Sequence, residues 1–293
     1  MTANVSIVVP SLYSPGVADT VRSLLSQSAR TAIREIFVVG RGAEGVASSD
    51  GCVRFLDTCR PVTAPVARNL GILESTGEIL AFIDADCVAD RRWLERLLSA
   101  LRLGANVVGG GVAFPARPYW QLCYNVAMFH DFHVTSRPGT RPNLGTLNLC
   151  CAREVVERVG LMDERLDRGQ DTEWSLRMRR HGYNLQFAPD AVVTHLPSVC
   201  SLRALVRRWY VSGKYNSWVR RQYSDLATAP PLDGCPVIQC AATPVVSFVV
   251  SLRLFARNPR LLQYVHTFPA VVATRAAWWW GASRHFDPTQ APP

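Results

Sequence analysis

The sequence contains no Cys-x-x-Cys pair and no Cys/His cluster at structural zinc spacing. That absence excludes the small zinc-stapled folds. Its nine cysteines are an odd number, with Cys150 beside Cys151 and Cys235 five residues before Cys240. They read as reduced thiols, most of them small core fillers in a cytoplasmic protein. No apolar run long enough to span a bilayer escapes a charge or a proline, so a membrane-crossing helix is not expected. No internal repeat or low-complexity tract occurs. No secretory signal is expected either, since a strand-like "VSIVVP" begins at residue 5. Acids are the scarcer charge: 23 Asp and Glu stand against 32 Lys and Arg, a net charge of +9. The bases gather in the second half. Such a surface suits nucleic acid, phosphate-bearing small molecules or an anionic membrane, and composition does not separate these.

What is present is a globular balance over 293 residues, 48% hydrophobic and 19% charged, enough for one large domain or a domain with an appendage. The first hundred residues alternate between two periodicities. Strands are expected at 5–10, 33–40, 52–57, 78–84 and 105–114, and helices at 17–29, 64–77 and 90–104. Gly77 reads as a helix C-cap and Asp90 as an N-cap. Continuous apolar strands alternating with helices predict a mostly parallel sheet covered on both faces. Ligands bind such sheets at the carboxyl ends of strands. Pro10, which opens the "PSLYSPG" loop, stands at one such end, and Asp84 and Asp86 stand at another.

Residues 115–149 are expected to hold a helix over "YWQLCYNVAMFHDFHV" and then a long loop, with Asn148 flooring an acceptor pocket. Short helices are predicted at 151–160 and 171–183, each closed by glycine, and two short strands within 184–196. The tail opens with the basic, aromatic segment 201–223. A linker follows at 229–236, then an apolar segment interrupted by Arg253, Arg257, Pro259, His266, Pro269 and Arg275. An interfacial amphipathic element is expected there, with Trp278, Trp279 and Trp280 at headgroup depth.

Two acids one residue apart in a tight turn repel each other, and each is costly to desolvate. A divalent cation, Mg2+ or Mn2+, resolves the conflict and leaves positions open for substrate phosphates. Read alone, so short and common a pattern fits a turn or cap ahead of the next helix better than a metal site. Its setting, "ARNLGILESTGEILAFIDADC", changes the reading. The chain resembles family 2 glycosyltransferases, inverting enzymes with a nucleotide-sugar-binding GT-A fold. That family opens with a strand close to "VSVIIPTYN", here "VSIVVPSLY". It carries Ala-Arg-Asn-x-Gly before the acidic strand, here Ala67, Arg68, Asn69 and Gly71. Asp84 and Asp86 match its Asp-x-Asp, and "VGLMDERLDRGQDTEWSLRMRRHGY" and "APDAVVTH" match its later motifs. The ordered set, over residues 4 to about 223, is more specific than any one motif.

The resemblance implies roles. Asp86 would ligate a metal bridging the donor diphosphate, and Asp84 would line the ribose or the metal shell. Arg68 would lie near the nucleotide or its phosphates, and His195 would face the metal or diphosphate. Asp171 would be the general base. By chemistry alone, Asp171 also fits an N-cap, His195 an ordinary satisfied histidine and Arg68 a solvated charge. His130 and His133 lack a third ligand at any fitting spacing and read as a helix or loop face. One departure is clear: where the family has "VVDDGSTD", with an acid for the nucleotide base, this chain has "VVGRGAEG". Gly40 and Arg41 hold the acidic positions, and Asp19, Glu44 or Asp57 are the candidate substitutes. Gln170 replaces the family's usual Glu before Asp171.

The expected architecture is an α/β GT-A domain over 1–223 and a helical, membrane-apposed appendage over 224–293. The implied activity is metal-dependent inverting transfer of a sugar from a nucleoside-diphosphate sugar to an acceptor hydroxyl, of a glycan, lipid-linked or small molecule. The expected location is peripheral, on the cytoplasmic face of the cell membrane. Nucleic acid is not an expected partner, since no such motif accompanies the basic segment. Two alternatives remain at this level: a non-catalytic relative that binds a partner or glycan, and a nucleotidyltransferase. Pro10 and Pro15 stand where the latter would need a glycine-rich loop.

Overall fold

The computed structural model describes residues 4–43, 45–46, 51–228, 235–284 and 287. Glu44 and most of the linker expected at 229–236 lie outside the described residues. In chain order the strands and helices are β1 (Val5–Leu12), α1 (Val17–Leu25), β2 (Ile33–Arg41), β3 (Val53–Asp57), α2 (Ala64–Glu74), β4 (Ile79–Ile83), β5 (Cys87–Ala89), α3 (Trp93–Arg102), β6 (Val107–Ala113), α4 (Tyr119–Phe129), β7 (Gly139–Thr140), β8 (Asn148–Ala152), α5 (Arg153–Val159), α6 (Gln170–Arg180), β9 (Leu185–His195), α7 (Leu202–Gln222), α8 (Pro236–Arg257) and α9 (Phe268–Ala282). Contacts group residues 1–113 and 136–196 into one compact unit, and 114–135 with 197–293 into a second. The division falls near 196 rather than at 223.

The first unit is built on one sheet in the order β3-β2-β1-β4-β8-β6-β9-β5, with β7 alongside β9. Its first half is parallel, as continuous β-branched strands predict. Its second half is mixed, because β8 runs antiparallel between β4 and β6. β8 falls in "NLCCA", within and just after the stretch expected to be loop. Five residues with two adjacent cysteines carry too little periodicity to announce a strand, and tertiary pairing makes it one. β9 is one continuous strand rather than two; its register on β6 slips between Gly110 and Val112. Five of the nine cysteines are buried and four exposed, and none is disulfide-bonded. The core-filler reading therefore holds for the first group only.

Two expected caps are something else. Gly77 does not cap α2, which ends at an extended Ser75. A Cβ on Gly77 would meet the Ser6 backbone nitrogen at 2.6 Å, so the glycine is there for close approach to β1. Asp90 precedes α3 by three residues, and its carboxylate accepts from the Arg92 backbone N–H at 3.0 Å, a local turn. Asn148, expected to floor a pocket, is buried, and its side-chain amide is engaged within the protein. Its amide nitrogen donates to the carbonyls of Gly111 and Ala191, and its oxygen accepts from the Trp93 indole. It ties β8 to β6, β9 and α3.

The second unit is helical. α7 and α9 cross with almost no side chain between them. A Cβ on Gly213 would lie 2.1 Å from the Trp278 carbonyl oxygen, and one on Gly281 2.0 Å from that of Tyr210. Pro244 sits inside α8 instead of ending it. Among the described residues, α8 is then the one helix long and apolar enough to cross a membrane by length and composition, contrary to expectation. The three consecutive tryptophans do not share one exposure: Trp279 is buried and Trp280 is exposed. Successive helical residues turn about 100° apart, so three in a row cannot face one surface.

Asn148→Ala leaves an indole N–H and two carbonyls unpaired in the core. We expect a loss of at least about 2 kcal/mol, since each unsatisfied buried group costs roughly 1–3 kcal/mol. Chemical denaturation followed by tryptophan fluorescence reads it.

Candidate active site

The site is assembled at the carboxyl ends of β1, β2 and β4, where the sequence placed it. β4 ends at Ile83, and the chain turns through Asp84, Ala85 and Asp86 into β5, whose three residues pair antiparallel with β9. That pairing sets Cys87 opposite His195, and the Leu196 N–H donates to the Asp86 carbonyl at 2.8 Å. The turn is also held from the other side. The Ser14 hydroxyl donates to the Ala85 carbonyl at 2.9 Å, and Thr20 to that of Cys87 at 2.7 Å. The "PSLYSPG" loop therefore clamps the acidic turn, which its spacing in sequence did not reveal. Pro10 lies half-buried in β1, in register with Val39 and past the last residue that pairs with β4.

Arg68 projects from α2 and places Nη2 2.5 Å from Asp84 Oδ1. Its side chain is 3% exposed, whereas Asp84 and Asp86 keep 32% and 34% open. The solvated-charge reading of Arg68 is thereby excluded. Its Nε and Nη1 are buried with no protein partner, an arrangement that calls for an anionic ligand. Burial pushes the Asp84 carboxyl up; Arg68 opposes the shift, and the carboxylates of Asp86 and Asp171 add to it. Asp171 thus shares the electrostatic environment of the acidic turn.

Asp86 Oδ2 lies 3.6 Å from Nε2 of the buried His195. With the Cys87 sulfur these form a group whose ligand atoms lie within 4.8 Å of one another. A carboxylate oxygen and an imidazole nitrogen suit Mg2+ or Mn2+. Burial, followed by the charges of Asp86 and Asp84, drives the Cys87 thiol well above its usual range. A soft sulfur is in any case a poor ligand for a hard cation. The donor set thus fits a hard cation held by two protein groups with the remaining positions open.

Asp171 is the second residue of α6, whose N-cap is Gly169 in the left-handed region, with φ +78°. The N-cap reading of Asp171 fails on that ground. Its carboxylate instead accepts from the buried Thr146 hydroxyl at 2.7 Å. Three contacts fix α6. The Trp174 indole donates to the Gly160 carbonyl, the Ser175 hydroxyl accepts from the Leu144 N–H, and Arg177 bridges Glu173 to the carbonyls of Val159 and Leu161. Asn69, next to Arg68, braces the same region: it donates to the Met162 carbonyl and to Glu164 and accepts from the Met162 N–H. None of these braces was legible beforehand, although "ARN" and "MDE" each stood out as motifs.

At Gly40, the first of the two positions where an acid is expected, the backbone itself excludes a side chain. Gly40 adopts φ +138°, and a Cβ there would lie 1.9 Å from the Ser11 carbonyl oxygen. Arg41 pairs with Asp57 at 3.3 Å. Of the candidate substitutes, Asp19 pairs with Arg22 on the exposed face of α1, whereas Asp57 stands in register with Gly40 at the end of β3. His130 and His133 belong to the second unit.

Residues 6–122 match the family model described as glycosyl transferase family 2. Glycosyltransferase AglE of Haloferax volcanii is 36% identical over 130 residues, 44% of this chain and 43% of that one. The alignment thus spans less than half of that relative. Succinoglycan biosynthesis protein ExoM of Rhizobium meliloti is 29% identical over 240 residues, 73% of this chain and 74% of that protein. Among solved structures, mannosyltransferase PcManGT from Pyrobaculum calidifontis, in complex with GDP-Man and Mn2+, superimposes with a TM-score of 0.59 at 16% identity, covering 94% of this chain and 86% of that one. That likeness carries the fold. Over residues 6–122 the chain is thus similar to glycosyl transferase family 2, and those residues stand within a GT-A fold.

Proposed function

We propose that the chain is a metal-dependent inverting glycosyltransferase that moves a sugar from a nucleoside-diphosphate sugar to an acceptor hydroxyl. The observation that carries this reading is the grouping of Arg68, Asp84, Asp86 and His195 at one sheet edge, with Asp171 within electrostatic reach. Asp86 and His195 are the residues that would hold Mg2+ or Mn2+. Such an ion, when bound, neutralises charge on the departing diphosphate. Arg68 orients Asp84 and offers two further donors to the nucleotide's phosphates. Asp57 takes the part of the acid missing at Gly40 in contacting the nucleotide base.

Asp171 accepts the acceptor's hydroxyl proton as that oxygen attacks the anomeric carbon. The bond from that carbon to the diphosphate oxygen breaks on the opposite face, so configuration inverts. Thr146 holds Asp171 through one oxygen and leaves the other for the acceptor. The alternative of binding without turnover is less favoured, because the grouping of Arg68, Asp84, Asp86, Asp171 and His195 supports a catalytic reading.

We further propose that the protein works as a peripheral protein on the cytoplasmic face of the cell membrane. The exposed apolar residues of α8, among them Val237, Val245, Phe248 and Leu252, and the basic α7 support it.

Asp171→Asn should lower transfer by about 10²–10⁴-fold, the usual worth of a general base, while donor-induced thermal stabilisation persists. Transfer at the wild-type rate would remove Asp171 from that role. With donor and Mn2+ at about 100 times Kd, stabilisation should reach about 2.7 kcal/mol. A chelator or Asp86→Asn should abolish it, and a panel of nucleotide-sugars read the same way identifies the donor.

A further inference from the structure

The second unit contains a cavity of about 400 Å³ that the glycosyl-transfer chemistry does not use. Small-molecule sites commonly measure roughly 300–1,000 Å³. Its wall combines three tryptophans, Trp209, Trp278 and Trp279, with three cationic or potentially cationic groups, His130, Arg220 and Arg275.

The two arginines are held in place but not neutralised. Arg275 donates through Nη2 to the Ala127 carbonyl at 3.1 Å, and Arg220 through Nη1 to the Thr228 carbonyl at 3.2 Å. Each keeps its Nε buried and without a partner. Among the described residues, neither guanidinium forms an ion pair with a carboxylate; Asp131 acts on Arg275 only from beyond ion-pair distance. Burial pulls Arg275 down to about 10, with Asp131 opposing. Burial, and then Arg275, pulls His130 down to about 4. The unit therefore holds two desolvated guanidinium groups beside an imidazole that is neutral at physiological pH. Uncompensated buried charge is costly, and the planar fork of arginine matches phosphate oxygens. Indole walls favour an apolar body attached to the anion.

We propose that this cavity binds the phosphate of an amphiphile, with Arg220 and Arg275 on the phosphate and the tryptophans against the first carbons of its chain. The phosphate could be the headgroup of a bilayer lipid or belong to a soluble phosphorylated amphiphile; the recognition chemistry is the same. The inference stands apart from the sugar-transfer reading, since no catalytic residue enters it.

Calorimetric titration of the full chain with decyl phosphate below its critical micelle concentration tests it. Saturable binding is expected, at least tenfold tighter than that of inorganic phosphate or decanoate, with decyl maltoside not binding. Arg275→Gln should weaken decyl phosphate at least tenfold. Should that variant not fold, Arg220→Gln, at a half-buried position, carries the same expectation. Co-sedimentation with phosphatidylcholine vesicles, with and without a fifth of phosphatidic acid, separates the sources. If an arginine variant loses the vesicles as well, the ligand is a bilayer headgroup; if it loses decyl phosphate alone, the ligand is a soluble amphiphile. Decyl phosphate binding no tighter than decanoate or decyl maltoside overturns the proposal. So does wild-type affinity in a folded Arg220→Gln or Arg275→Gln protein.

Discussion

The contact on which the acidic turn of the first unit depends is the buried guanidinium of Arg68 against Asp84. Three carboxylates, Asp84, Asp86 and Asp171, occupy one electrostatic neighbourhood, and without a cation inside the protein they would repel one another. Arg68 satisfies one oxygen of one acid and still carries two unpartnered nitrogens. The residue thus has two roles: it makes the acidic turn tolerable in the free protein, and it leaves a donor pair that a phosphate can fill.

Geometry around that pair is maintained by secondary contacts that carry no chemistry of their own. β5 is three residues long, yet its pairing with β9 sets Asp86 within 3.6 Å of His195. Asn69, one residue beyond Arg68, secures the loop ahead of α6, and Glu173 with Arg177 secures α6 itself. Asp171 is placed by these braces and by Thr146, rather than by a capping role at its own helix end. Asn148 does comparable work in the sheet, where one amide serves β6, β9 and α3.

The second unit follows a different rule. Close approach of α7 and α9 through Gly213 and Gly281 leaves large side chains no room at the crossing. The tryptophans of α9 are distributed around the helix, with Trp279 inward and Trp280 outward. Arginines that look like surface charge in the sequence, Arg220 and Arg275, line a cavity instead.

The parallel first half of the sheet, the position of the acidic turn and the candidate residues Arg68, Asp84, Asp86, Asp171 and His195 were all determined by sequence. Apolar periodicity and motif order are local properties, written in adjacent residues. Tertiary structure decided the rest. β8 became a strand because β4 and β6 flank it, Asn148 became a brace because three elements meet there, and α8 runs on through Pro244 although a proline removes one of its backbone hydrogen bonds. Each of these depends on contacts between residues far apart in the chain, and no short-range pattern encodes such contacts.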